Sequence, residues 1–130
     1  MIILSVANVF GGRKIMAATN KPNSDWSLKT VKKGGNGKYE GYGTCNTVDL
    51  YSAYYFKGVS KMKISVTNVS SKKSIKVKVY KYGKYWDSCV STVQVPANGT
   101  TTWTISTSST DKYYVKFFKP ADFTWSIEKG

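Results

Sequence analysis

The sequence predicts an all-β protein with a single domain, folded as an antiparallel β-sandwich or a jelly-roll-like variant of it. Apolar and polar residues alternate strictly along several short segments, as is typical of strands with one buried face. Turn-forming residues separate these segments at short intervals, which predicts about eight short strands. The length of 130 residues fits one domain.

The strand pattern is clearest in the second half of the chain. Apolar residues recur at every second position in residues 61–67, 75–80, 103–105 and 123–127. Weaker strands are predicted at residues 26–31, 39–43 and 48–56. Because Val48, Tyr51 and Tyr55 also fit one face of a helix, a helix is the alternative for the last of these segments. The residues predicted to face the core include Tyr113, Val115, Phe117, Phe123, Trp125 and Ile127.

The segments on either side of the turn at residues 68–73 are predicted to pair as a hairpin, with Val66 opposite Ile75. That register places Lys63 directly opposite Lys78. Because like charges that face each other across a sheet are mildly destabilising, we interpret this row of lysines as a candidate polyanion surface. The alternative is a solvated outer face whose lysines discourage edge-to-edge aggregation. The lysines on this predicted face are Lys61, Lys63, Lys76 and Lys78.

The charge balance is strongly positive, with 20 Lys and Arg residues against 7 Asp and Glu residues and a net charge of +13. All of the basic residues except Arg13 are lysines, which are hydrated point charges without the bidentate geometry that reads base edges. We therefore expect salt-dependent attraction to an anionic polymer or a membrane surface. We do not expect sequence-specific binding to nucleic acid. A protein is the alternative class of partner.

Aromatic residues are also numerous, with 10 Tyr, 4 Trp and 5 Phe. Those around the tight turn at Gly83 and Lys84 are too crowded for all of them to be buried. Exposed Tyr and Trp beside lysines suit contacts with sugars, membrane interfaces or proteins. The candidate binding residues are therefore Lys61, Lys63, Lys76, Lys78, Tyr80, Tyr82, Lys84, Tyr85 and Trp86.

The composition argues against catalysis. The sequence contains no histidine, which is the usual general base and metal ligand near neutral pH. Its acidic residues are scattered singly, whereas a glycosidase needs two that converge across a cleft. Neither a nucleophile elbow, a phosphate-binding loop nor metal-ligand spacing occurs in the sequence. We therefore expect a protein that is not an enzyme and that uses no metal or cofactor.

The two cysteines and the N-terminus both suggest export. Cys45 and Cys89 are far apart in a chain rich in Tyr, Thr, Ser and Asn, which suits a secreted protein with one disulfide; two unpaired, buried thiols are the alternative. Residues 1–25 are expected to be a leader-like or flexible segment, because their first ten residues resemble the apolar part of a signal peptide. A mis-called start or an ordinary first strand are the alternatives. The β-sandwich domain is then residues 26–130.

From residue 49 to residue 128, the order of segments resembles the bacterial pre-peptidase C-terminal type of β-sandwich. The matching segments are residues 54–56, 62–68, 78–83, 111–117 and 123–127. Members of this family are small secreted jelly-roll-like modules, and some relatives bind collagen. The resemblance implies an extracellular accessory role in binding or secretion, without catalysis.

Three functional hypotheses follow from these observations. The first is a secreted binding module that recognises an anionic envelope polymer, a polysaccharide or a matrix surface. The second is a cationic antibacterial or pore-forming protein that acts on anionic membranes, in which the Ser/Thr-rich residues 100–108 form a barrel wall rather than an ordinary sandwich edge. The third is an inhibitor that inserts residues 82–86 into the active site of a secreted enzyme.

Overall fold

The computed structural model describes residues 14–29 and 35–130. This part of the chain contains eleven strands and no helix. In chain order the strands are β1 (Ile15–Met16), β2 (Asp25–Ser27), β3 (Tyr39–Cys45), β4 (Leu50–Tyr51), β5 (Tyr55–Lys57), β6 (Lys61–Asn68), β7 (Ile75–Lys81), β8 (Ser88–Val95), β9 (Thr100–Ser106), β10 (Lys112–Phe117) and β11 (Ala121–Lys129). Within the described ranges, no helix is long and apolar enough to cross a bilayer.

The strands form two packed sheets. Sheet A has the order β1-β3-β11-β6-β9, and sheet B has the order β2-β5-β10-β7-β8, with β4 also paired to β10. Neighbours are antiparallel except β1 with β3 and β2 with β5. The predicted all-β sandwich is confirmed. The strand count exceeds the predicted eight because β1 lies in the segment predicted to be a leader, and because the single strand predicted at residues 48–56 is divided into β4 and β5.

Aromatic rings from both sheets form the centre of the core. The inward residues of β10 and β11 are buried, as predicted. Phe117 stacks on Phe123 with ring centroids 3.9 Å apart. Trp125 packs against Phe117, Phe56 and Tyr39 at centroid distances of 5.3, 5.6 and 5.3 Å. The sandwich is therefore held together by apolar contacts that lie between its sheets.

The predicted hairpin of β6 with β7 is wrong. β6 pairs with β11 and β9 in sheet A, whereas β7 pairs with β10 and β8 in sheet B. The chain crosses between the sheets after Asn68, which is buried. Its side-chain amide donates to the carbonyls of Lys73 (2.7 Å) and Val95 (3.1 Å), and its carbonyl accepts from the Ser70 N–H. The predicted row of four lysines is consequently divided between two opposite faces of the molecule.

The described N-terminal residues pack on both sheets. Ile15 and Met16 pair with β3, and Ala18 bridges to Tyr51. The leader-like segment predicted at residues 1–25 is thus attached to the sandwich from β1 onward, and residues 1–13 lie outside the described residues. Residues 48–56 contain the strands β4 and β5 and not the alternative helix. Of the strand predicted at residues 26–31, the structure shows β2, and residues 30 and 31 lie outside the described part.

The predicted disulfide is absent from the structure. Cys45 is buried at the end of β3, and Cys89 is an exposed free thiol on β8. Cys45 lies opposite Ala121, near the end of the sandwich where Asn68 contacts Val95. Cys89 lies near the far end of β8, about 20 Å along the strand from Val95. A disulfide requires Cα atoms within about 7 Å, so these positions are too far apart to be bridged.

We predict that a thiol reagent labels Cys89 rapidly in the native protein and labels Cys45 only after unfolding. Burial covers the Cys45 thiol and also raises its pKa, which lowers the fraction of reactive thiolate. Absorbance of the released reporter, with and without denaturant, measures both reactions. Cys89→Ser should remove the fast reaction, whereas Cys45→Ser should preserve it. Finding no titratable thiol in unreduced protein would contradict the structure.

Candidate binding surface

The outer face of sheet B combines lysines with aromatic rings. The inward residues of β10 are Tyr113, Val115 and Phe117, so Lys112, Tyr114 and Lys116 point outward. The antiparallel register places Tyr80 of β7 opposite Tyr114, and Lys78 opposite Lys116. We call this surface the lysine–aromatic face. Its members are Lys76, Lys78, Tyr80 and Tyr82 with Lys112, Tyr114, Lys116 and Phe118, bordered by Tyr51, Tyr55 and Lys57.

Two pairs of lysines lie directly opposite each other on this face. Lys57 of β5 faces Lys112 of β10, and Lys78 of β7 faces Lys116 of β10. In the first pair, the Asp25 carboxylate lies 3.2 Å from the Lys57 ammonium and 3.6 Å from that of Lys112. A carboxylate supplied by the chain thus relieves the like-charge repulsion of that pair.

The second pair belongs to a cluster of three lysines around one ring, which we call the Phe118 cluster. The ammonium nitrogens of Lys116, Lys76 and Lys78 lie 4.7, 5.4 and 5.6 Å from the centroid of Phe118. The ring attracts each cation, by about 0.5–1 kcal/mol at an exposed site. However, the three ammonium groups lie within roughly 11 Å of one another, which is comparable to the Debye length of about 10 Å at 0.1 M salt, so they also repel.

The Phe118 cluster has little internal compensation. The Asp49 carboxylate lies 3.7 Å from the Lys116 ammonium. Among the residues that the structure describes, no carboxylate forms an ion pair with Lys76 or Lys78. The cluster therefore carries an excess of positive charge at a surface that is open to a ligand.

Asp87 fixes the end of the lysine–aromatic face that lies next to the loop between β7 and β8. Its carboxylate accepts hydrogen bonds from the Tyr114 hydroxyl (2.6 Å), the Lys21 ammonium (3.1 Å) and the Gly83 N–H (3.1 Å). Burial acts to raise the pKa of Asp87, but these three donors outweigh it and the pKa lies below its ordinary value. Burial, followed by the hydrogen bond to Asp87, raises the pKa of Tyr114 well above its ordinary value. The phenol therefore stays protonated and continues to donate.

Tyrosine rings extend the face from the Phe118 cluster toward Asp87. Tyr80 stacks on Tyr114 with centroids 5.3 Å apart, and Tyr55 packs edge-on against both Tyr114 and Tyr82. The Lys112 ammonium lies 4.3 Å from the Tyr55 centroid and 4.7 Å from that of Tyr82. The result is a row of rings that is fixed by backbone pairing and by Asp87 at one end. In this row Tyr82 is exposed, Tyr80 is half-buried, and Tyr55 and Tyr114 are buried.

The loop between β7 and β8 presents two aromatic side chains to solvent. Tyr85 is 80% exposed and Trp86 is 76% exposed, and we call them, with Lys84, the tip. The bond from the Gly83 N–H to Asp87 closes this loop. A side chain at Gly83 would overlap the Trp86 carbonyl group, so the loop requires a glycine there. The tip is thus displayed by a constrained turn and not by a loose segment.

The structure brings together part of the predicted site. Lys76, Lys78, Tyr80 and Tyr82 lie on the lysine–aromatic face, and the tip extends beside it. Lys61 and Lys63 lie on the outer face of sheet A, where Lys63 is opposite Glu128. Sequence reasoning missed Lys112, Lys116 and Phe118, although the alternation in residues 112–118 places them on one face. The missing information was the pairing of β10 with β7.

Neither protein-family models nor curated proteins give a match to this chain. The resemblance to the pre-peptidase C-terminal type of sandwich therefore stays a prediction. We therefore infer the function from the geometry of the lysine–aromatic face.

We predict that Asp87→Asn lowers the free energy of unfolding by about 1 kcal/mol near neutral pH, because charged hydrogen bonds are lost. Since the pKa of folded Asp87 is lowered, its ionisation stabilises the fold above the ordinary carboxyl pKa, and this contribution disappears as pH falls through the folded pKa. The stability difference between wild type and variant should therefore shrink below about pH 4. Denaturant titrations from pH 7 to pH 3 measure it.

Asp111→Asn is the matched control for this experiment. Asp111 is more exposed, and its ion pair with Lys81 is 3.9 Å long, so its loss should change stability by only a few tenths of a kcal/mol. A stability difference for Asp87→Asn that stays constant down to pH 3 would contradict the proposed coupling.

Proposed function

We propose that this protein is a secreted, non-catalytic binding module whose lysine–aromatic face binds an anionic polysaccharide or a similar anionic polymer. The observation that carries the proposal is the Phe118 cluster, in which three ammonium groups surround one ring with a single carboxylate, Asp49, beside them. Like charges concentrated in this way are stabilised by an anion from outside the chain.

The two lysine pairs of sheet B support the proposal when they are compared. Between Lys57 and Lys112, the chain supplies the Asp25 carboxylate, which forms ion pairs with both members. Between Lys78 and Lys116, the Asp49 carboxylate reaches only Lys116. A carboxylate, sulfate or phosphate group of a ligand would occupy the position at the second pair that Asp25 occupies at the first.

The shape of the face favours a polymer over a small anion. Its cations lie along an open sheet and are not enclosed in a pocket, so each contact is weak and affinity requires several repeats. Lysines suit a ligand with repeated negative charges, because an ammonium group donates hydrogen bonds to anionic groups in many directions. The half-buried ring of Tyr80, which stacks on the buried Tyr114, and the exposed ring of Tyr82 add apolar contact area beside the charges, which suits sugar rings.

We predict that Lys76→Gln/Lys78→Gln weakens binding to dextran sulfate about tenfold at moderate salt, because two ammonium groups of the Phe118 cluster are removed. Wild-type affinity should fall as salt rises, and the variant should show a shallower salt dependence. Fluorescence anisotropy with labelled dextran sulfate, and with uncharged dextran as the reference polymer, measures both quantities.

The control variant is Lys61→Gln/Lys63→Gln, which removes the same charge from the outer face of sheet A. It should weaken binding by less than about threefold, because only the long-range field changes. Equal losses in both variants would mean that net charge alone, and not the Phe118 cluster, causes binding.

A second candidate function is action on anionic membranes, which the tip favours. Tyr85 and Trp86 are the most exposed aromatic side chains of the described residues, and the Lys84 ammonium lies 5.5 Å from the Tyr85 centroid. Trp and Tyr beside lysine are typical of protein segments that lie at the headgroup level of a bilayer. Both rings are exposed on the loop between β7 and β8, which suits insertion into the headgroup region of a bilayer.

If this second function holds, Trp86→Ser/Tyr85→Ser should bind phosphatidylglycerol vesicles at least about tenfold more weakly than wild type, because the inserted rings are lost. Vesicle sedimentation measures binding, dye release measures lysis, and a blue shift of tryptophan emission that disappears in Trp86→Ser reports insertion. Tyr42→Ser, at an exposed tyrosine of sheet A, is the control. Vesicle binding that is unchanged in the double variant would reject a membrane role for the tip.

A further inference from the structure

One long segment of this highly charged protein carries no charge at all. Charged residues make up 21% of the sequence, yet none occurs in residues 88–110. That segment contains β8 and β9 and the turn between them. The distribution is notable because β8 is the outermost strand of sheet B and β9 is the outermost strand of sheet A.

The two uncharged strands lie side by side and form one wall of the sandwich. The Trp103 indole N–H on β9 donates to the Ser91 hydroxyl on β8 at 3.1 Å. In the described part of the chain, no strand pairs with the outer side of either one. Each therefore presents a row of backbone N–H and C=O groups that is available for pairing.

Proteins usually protect such edges with lysines, prolines, bulges or short strands. The opposite edges of this sandwich are short, since β1 has two residues and β2 has three. β8 pairs with β7 through a register shift at Val79 and Tyr80, which is a bulge that discourages further pairing. β9 has none of these features: it is seven residues long and pairs with β6 without a shift.

We infer that β9 pairs in the antiparallel direction with β9 of a second copy of this chain, so that sheet A continues across a symmetric dimer. A two-fold axis places a strand opposite its own sequence. For β9 this brings only Thr, Ser, Trp and Ile side chains together, so no like charges face each other across the new pair. This inference is independent of the proposed function.

Contacts already present inside sheet A show how such side chains pair. The hydroxyls of Ser65 and Thr102 are 2.8 Å apart across β6 and β9, and those of Thr67 and Thr100 are also 2.8 Å apart. The same kind of hydroxyl pair would form between two copies of β9.

Charge also points to a second copy at this wall. Two copies that each carry +13 repel over most of their surfaces, and the uncharged wall lets them approach with the least repulsion. Salt screens the remaining repulsion. Dimerisation should therefore become stronger as salt rises, which is opposite to the salt dependence of polyanion binding.

Sedimentation equilibrium of the full chain, at several protein and salt concentrations, tests the inference. We expect a monomer–dimer equilibrium that shifts toward dimer at higher salt. Thr102→Lys, which places a lysine in the middle of β9, should raise the dimer dissociation constant at least about tenfold. Thr44→Lys is the control, because it adds the same charge on β3 opposite Asp122 and should leave the equilibrium nearly unchanged.

The remaining outcomes would overturn the inference. A protein that stays monomeric at every concentration and salt has no such interface. A dimer that survives Thr102→Lys, or one that is abolished by Val90→Lys on β8 and not by Thr102→Lys, uses another surface. Circular dichroism and thermal unfolding show whether the variants fold, and Thr100→Lys replaces Thr102→Lys if the latter does not fold.

Discussion

The packing of two β11 rings against two glycines of β3 is the constraint on which the sandwich depends. A Cβ atom at Gly41 would overlap the Trp125 indole nitrogen, and one at Gly43 would lie 2.8 Å from the Phe123 ring. These rings fill the space that the glycines leave and reach Phe117 of the other sheet. The indole N–H of Trp125 is buried without a hydrogen-bond partner in the described residues, so the close fit is kept despite an unsatisfied donor.

The same packing determines which side chains lie on the outer face of sheet B. Because Phe117 faces inward to stack on Phe123, Lys116 and Phe118, the residues on either side of it, must face outward. The register of β10 with β7 then brings Lys78 beside them. A slip of one residue would move the rings to the surface and the lysines into the core. The charged cluster is therefore a consequence of core packing, and its repulsion is small compared with the apolar burial that maintains the register.

The sequence predicts which face of a strand points into the core, but it does not predict which strands are neighbours in a sheet. Period-two alternation correctly predicts which residues of β6, β7 and β11 are buried, since it follows from strand geometry alone. In β10 it predicts the inward residues Tyr113, Val115 and Phe117 but not the burial of Tyr114 on the other face. It contains nothing about which strands pair, so the β6–β7 hairpin and the four-lysine row were wrong. Asn68 is the residue whose side chain holds the crossover between sheets, but a buried Asn in a polar turn has no distinctive sequence pattern. The pairings of β1, β2 and β4 depend on long-range contacts and leave no local periodicity.

The symmetry of the inferred dimer determines how the two lysine–aromatic faces are oriented relative to each other. An antiparallel β9–β9 pair has its two-fold axis perpendicular to sheet A, so both copies carry sheet B on the same side. Both lysine–aromatic faces would then point in one direction, and a single polymer or surface would contact two Phe118 clusters at once. Two linked sites gain affinity through a high local concentration without any new contact. By thermodynamic reciprocity, a polyanion that binds both copies also strengthens the dimer, because it neutralises the charge that keeps the copies apart.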